Sequence, residues 1–186
     1  MKKRLLAAAT AAIVSVAAAA PAGAVVLVVG NSRGVSCYQS AVQHDSTRDA
    51  IEECTAALNE SGFSARDRAA TLVNRGILHL DRGDMQSAMS DFDQAIATYP
   101  TMAEGYTNRG LALLRMNDQR GAIASITRGL ELGPLEPQKA LFNRAVAHEE
   151  LGDIRAAYYD YQRASEVDPS FEPAQLELTR FQVRQR

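Results

Sequence analysis

The motif Asn-Arg followed by a small residue occurs three times, at Asn74-Arg75-Gly76, Asn108-Arg109-Gly110 and Asn143-Arg144-Ala145, at intervals of 34 and 35 residues. A fixed period of this length constrains the chain to a stack of similar units, because so short a unit cannot bury an apolar face alone and has to pack it against the next copy. The echo runs well beyond the tripeptide. Ala88, Phe92, Ala95 and Pro100 follow Gly76 at the same intervals at which Ala122, Ile126, Gly129 and Pro134 follow Gly110. Ala157, Tyr161, Ala164 and Pro169 follow Ala145 in the same way. Within each set the steps of 4 and 3 put a small, a large and a small side chain on one face of a helix. The small residue after Asn-Arg lies on a preceding helix, where it admits that face at close range. Between the two helices stand Arg82-Gly83-Asp84, Asn117-Asp118 and Gly152-Asp153. Gly or Asn there can take the left-handed conformation that ends one helix, and Asp can cap the next. Each unit closes at a proline, which cannot continue a helix.

On these residues the chain resembles the tetratricopeptide repeat (TPR) family, whose unit is two antiparallel helices in about 34 residues. The resemblance implies an all-α fold, a short superhelical solenoid preceded by a short extended N-terminal segment. Three units are expected, at 69–102, 103–137 and 138–171, after a divergent helix pair and linker at 36–68. The middle unit departs most from the pattern, with Ile126 in the aromatic place and Gly129 in place of alanine.

The ends have a different character. Lys2, Lys3 and Arg4 precede an apolar run from Leu5 to Ala20, and Ala22-Gly23-Ala24 follows it, which is the pattern of a secretory signal cleaved after Ala24. The alternative is an uncleaved anchor, since apolar residues resume at Val25 to Val29, although Pro21 and Gly23 interrupt such a helix. The expectation is therefore export to the periplasm or beyond, with no membrane span after cleavage. Loss of residues 1–24 removes three cations and takes the formal charge from −2 to −5, which argues against a nucleic-acid partner. Residues 25–35 are expected to lie extended against the first helices. Cys37 and Cys54 are the only cysteines, one on each helix of the divergent pair, and in an oxidising compartment a disulfide between them is favoured over two buried thiols. Residues 172–186 read as an amphipathic closing helix, with Leu176, Leu178, Phe181 and Val183 among charges.

Candidates for chemistry are few. His79 and His148 share a repeat position, but they lie two repeats apart and packing is the expected role; His148-Glu149-Glu150 lacks the second histidine of a zinc protease motif. No phosphate loop or nucleophile elbow is found, so no enzyme, metal or cofactor is expected. The repeated asparagine is the more informative feature. In TPR proteins its place on the first helix commonly looks into the concave groove, so Asn74, Asn108 and Asn143 are expected to form a ladder. An amide offers both a donor and an acceptor and can pair with a peptide backbone without reading side chains. This resembles the asparagine ladder of the O-linked N-acetylglucosamine transferase repeats at that position alone. Asparagine can equally satisfy a neighbouring helix. Neighbouring groove positions include Val73, Ile77, Thr107, Leu111, Phe142 and Val146, part of a mixed apolar and polar lining that suits a peptide with hydrophobic side chains better than an acidic tail. Arg75 and Arg144 are expected to reach Asp91 and Asp160 on the second helices, where the middle unit offers Ser125. The expected function is a non-catalytic adaptor binding a peptide or partner protein in the groove. The alternative is a structural subunit of an envelope complex, docking through residues 25–29 or the closing helix.

Overall fold

The computed structural model describes residues 23–28 and 32–181; the leader expected at residues 1–24 lies largely outside them, and Val183 of the closing helix wholly outside. The described residues contain α-helices and no strand. They are α1 (Ser32–Gln43), α2 (Arg48–Asn59), α3 (Ala65–Asp81), α4 (Met85–Thr98), α5 (Ala103–Arg115), α6 (Gln119–Leu132), α7 (Pro137–Glu150), α8 (Ile154–Val167) and α9 (Glu172–Leu178). Consecutive helices pair as α1·α2, α3·α4, α5·α6 and α7·α8, and each pair stacks on the next. The first helices also touch one another, α1 with α3, α3 with α5 and α5 with α7, so they form one continuous layer. The second helices make no comparable contacts among themselves. The stack therefore curves toward the α1, α3, α5, α7 side, which carries the repeated asparagines.

Local chemistry sets the helix boundaries. Asp84, Asp118 and Asp153 each accept a hydrogen bond from the backbone N–H three residues on, capping α4, α6 and α8. The residue before each cap is left-handed, with φ of 81° at Gly83, 61° at Asn117 and 80° at Gly152. Asparagine is the side chain that best tolerates this conformation, which is why it can stand where the other repeats use glycine.

Packing follows the small-large-small pattern, and the middle repeat shows how a departure from it is absorbed. Phe92 and Tyr161 are buried against Gly76 and Ala145, and Ile126 fills the same place against Gly110. A methyl group on Gly129 would come within 2.5 Å of Thr107 Cγ2 and 3.0 Å of the Ala103 carbonyl. Glycine there leaves room for the Thr107 methyl and the Ala103 carbonyl of α5 to stand against α6.

Two features at the ends differ from the expectation. Helix α1 begins at Ser32, inside the stretch expected to be extended, because Gly34, Cys37 and Ala41 form a buried helical face of small residues. The disulfide Cys37–Cys54 joins α1 to α2. At the other end α9 stops at Leu178 instead of continuing as one long closing helix. Turning the chain there brings Phe181 onto the rings of Tyr158 and Tyr161, at centroid distances of 5.6 and 5.8 Å. Leu178 joins this cluster, whereas Leu176 points outward and is 67% exposed. No helix among the described residues is long and apolar enough to cross a membrane.

Candidate functional site

The first helices place Asn74 and Asn108 side by side on the inner layer, and both are fully buried. What covers them is the chain's own N-terminal segment. Asn74 Oδ1 accepts from the backbone N–H of Val26 at 2.9 Å, and Asn74 Nδ2 donates to the carbonyl of the same residue at 2.7 Å. Asn108 Nδ2 donates to the carbonyl of Ala24 at 2.9 Å. Successive repeats thus grip the segment two residues apart, the period of an extended chain. Burial alternates with the same period: Ala24, Val26 and Val28 are buried while Leu27 is 51% exposed. Gly23 continues the fit, because a Cβ there would collide with Asn108 Oδ1 and press on Ile77. Read from Ala24 to Val26, the segment runs from the second repeat toward the first.

Of the residues expected to line the groove, Val73, Ile77 and Leu111 share one buried cluster with Val26 and Val28. Thr107 and Phe142 are used in helix packing. The Thr107 methyl lies where a side chain on Gly129 would stand, and Phe142 packs edge-on against Tyr161 and Phe171, with ring centroids 5.3 and 5.8 Å away. Val146 is half-buried between the clusters of the last two repeats. Asn143 is not brought to the described part of the segment. Its Oδ1 is buried and has no hydrogen-bond partner among the described residues. Removing an unsatisfied buried amide forfeits no bond. Asn143→Ala is therefore expected to change unfolding free energy by less than about 0.5 kcal/mol or to stabilise, whereas Asn74→Ala, which strands two backbone groups of Val26, destabilises; urea titrations of the two variants make the comparison.

The arginines beside the asparagines point away from the groove and tie helices together. Arg75 donates to both carboxylate oxygens of Asp91, at 2.8 and 2.6 Å, and its remaining nitrogen reaches Thr55 Oγ1 on α2. Arg144 repeats this with Asp160 and with Thr127 on α6. Each guanidinium therefore bridges its own second helix and that of the preceding unit. In the middle repeat the carboxylate has changed sides: Arg109 bonds Asp93 of the preceding α4 at 2.7 Å and only approaches Ser125 of its own α6, at 3.5 Å. The expectation located Ser125 correctly and missed Asp93, which aligns with Thr55 and Thr127 once the period is applied to the second helices.

His79 stands beside the Arg75–Asp91 pair, with Nε2 3.9 Å from Asp91 and Nδ1 3.6 Å from Asp84. An open hollow there is lined by Arg75, His79, Gln86, Ser87, Ser90, Asp91 and Gln94. Burial lowers the His79 pKa from 6.5 despite the carboxylates of Asp91 and Asp84, with Arg75 and Arg82 acting in the same direction as burial. The native state then binds a proton at His79 less readily than the unfolded chain, so this group's contribution to stability falls as pH drops through 6.5 and below. The melting temperature of the native chain should decline more steeply between pH 7 and 5 than that of His79→Gln. No group of three or more His, Cys, Asp or Glu suited to a metal ion occurs among the described residues.

The comparisons with known proteins bear on this architecture. The tetratricopeptide repeat family model matches residues 138–171. That match spans one helix pair, α7 with α8, and the other pairs stack in the same manner. It is 31% identical over 114 residues to tetratricopeptide repeat protein 36 of Xenopus tropicalis, covering 60% of this chain and 56% of that one. It is 32% identical over 112 residues to the human serine/threonine-protein phosphatase 5, covering 60% of this chain and 22% of the phosphatase. The chain thus spans about half the length of the first relative and about a fifth of the second. Among solved structures, the type IV pilus biogenesis factor PilW superposes with a TM-score of 0.69 at 23% identity, over 81% of this chain and 69% of that one. The first TPR of Spaghetti (RPAP3), bound to an HSP90 peptide, superposes with a TM-score of 0.59 at 23% identity, over 62% of this chain and 93% of that one. At these identities the structural likeness shows the fold.

Proposed function

We propose that the protein is a non-catalytic TPR adaptor of the bacterial periplasm that holds an extended peptide, or an extended stretch of a partner protein, in its concave groove. One observation carries the reading: Asn74 engages both the N–H and the carbonyl of a single residue, Val26, which is how an amide side chain reads a backbone irrespective of sequence. A solved relative in fold, the RPAP3 repeat, is bound to a peptide. Export is supported by the basic and apolar leader and by the Cys37–Cys54 disulfide, a bond that persists in oxidising compartments. As for docking through residues 25–29, among the described residues of that stretch Val26 and Val28 are buried in the groove and Leu27 is exposed.

The test is an array of immobilised ten-residue peptides of varied sequence, probed with the full chain and with the Asn74→Ala, Asn108→Ala, Asn143→Ala triple variant after both are matched for helical content. The reading expects a set of peptides retained by the first and lost by the second. Equal retention by both would contradict it.

A further inference from the structure

The segment that fills the groove is chemically specific. Its backbone is held at Val26 and Ala24 by the amides of Asn74 and Asn108, and its inward side chains are the small or β-branched Ala24, Val26 and Val28. Gly23 has no room for a side chain beside Asn108 and Ile77. Leu27 faces outward. The segment is joined to α1 through only three intervening residues, so its local concentration at the groove is high and any peptide arriving from outside competes with it. The groove extends past it: Asn143, at the same place one repeat further on, keeps a buried acceptor without a partner among the described residues.

We propose that in the uncleaved chain residues 23–28 are the groove's resident ligand, of which 25–28 stay attached after cleavage behind Ala24, and that they define what the groove takes from outside: an extended peptide with glycine or alanine followed by β-branched residues at alternate positions, bound only when the resident segment yields. This rests on the peptide-binding reading above and names its ligand class and its built-in competitor.

The experiment uses full-length protein and a fluorescent peptide of the segment's own sequence, Gly-Ala-Val-Val-Leu-Val, followed by anisotropy. Val26→Pro removes the N–H that Asn74 accepts while keeping an apolar side chain, so it loosens the resident segment. Gly23→Val, which would press on Asn108 and Ile77, serves as a second loosened variant should the proline disturb folding. The expected result is at least ten-fold tighter binding by a loosened variant than by the native chain. Aspartate at the second, fourth and sixth peptide positions should weaken that binding at least ten-fold, and aspartate at the fifth should leave it unchanged. Equal affinity of native and loosened chains would overturn the competition. Indifference to the second, fourth and sixth positions would overturn the ligand class. A loosened variant that retains varied array peptides through Asn74 and Asn108 but not this one would sink the present inference alone. A loosened variant that retains no peptide through those asparagines would sink the adaptor reading with it.

Discussion

Arg75→Ala is expected to destabilise the protein by about 3 kcal/mol, while Arg109→Ala, the same change in the same motif one repeat later, should cost less than about 1 kcal/mol. The difference arises from burial. Asp91 is 3% exposed at its side chain and receives two bonds from Arg75, so removing the guanidinium strands a carboxylate away from water. Breaking such a pair by deleting one partner is costly chiefly because the other charge remains buried. Asp93, the partner of Arg109, is 56% exposed and is rehydrated when the arginine is lost. Ser125 keeps its own bond to the Tyr106 carbonyl. Urea denaturation of the two single variants reads the difference. Equal costs would mean that the arginine acts through its helical position and not through the ion pair.

The second large effect concerns the disulfide. A cross-link that closes a 17-residue interval contributes about 3 kcal/mol in the chain-entropy model. Cys37→Ser with Cys54→Ser should lower stability by that order, and the loss should be confined to one end of the stack. In a solenoid each unit is held by its neighbours, so a weakened terminal unit frays before the interior unfolds. Amide exchange should therefore quicken first in α1 and α2 and stay slow in α5 and α6. A uniform increase along all the helices would show that the stack unfolds as a single cooperative unit.

The repeat architecture was legible in the sequence because its determinants are local and periodic. Gly76, Phe92 and Asp84 recur in kind at a fixed interval, and each acts on residues within about one helix of itself. The direction of Arg75 and Arg144 was legible for the same reason, as was the left-handed place of Asn117. That residues 25–28 lie against the first helices was legible too, but the bonds that hold them there were not. Val26 pairs with Asn74 across 48 residues and Ala24 with Asn108 across 84, through backbone groups that every residue possesses. Composition gives no sign of such a bond. The small residues at 22–24 also fit a cleavage site, and the alternation of Ala24, Val26 and Val28 was masked by the equally apolar Val25 and Leu27. Phe142 illustrates the opposite limit. It holds a groove register on α7, yet the aromatic rings of Tyr161 and Phe171 give it a better-packed place, and two neighbouring rings outweigh a periodic position.

Amide exchange at Val26, measured by NMR on the full chain, tests most directly the claim that the asparagine amides hold an extended backbone in the groove. The account predicts a Val26 amide slowed at least a hundred-fold relative to an unstructured chain and released by Asn74→Ala, with α5 and α6 unaffected by the substitution. A Val26 amide that already exchanges at the unstructured rate in the native protein would contradict it.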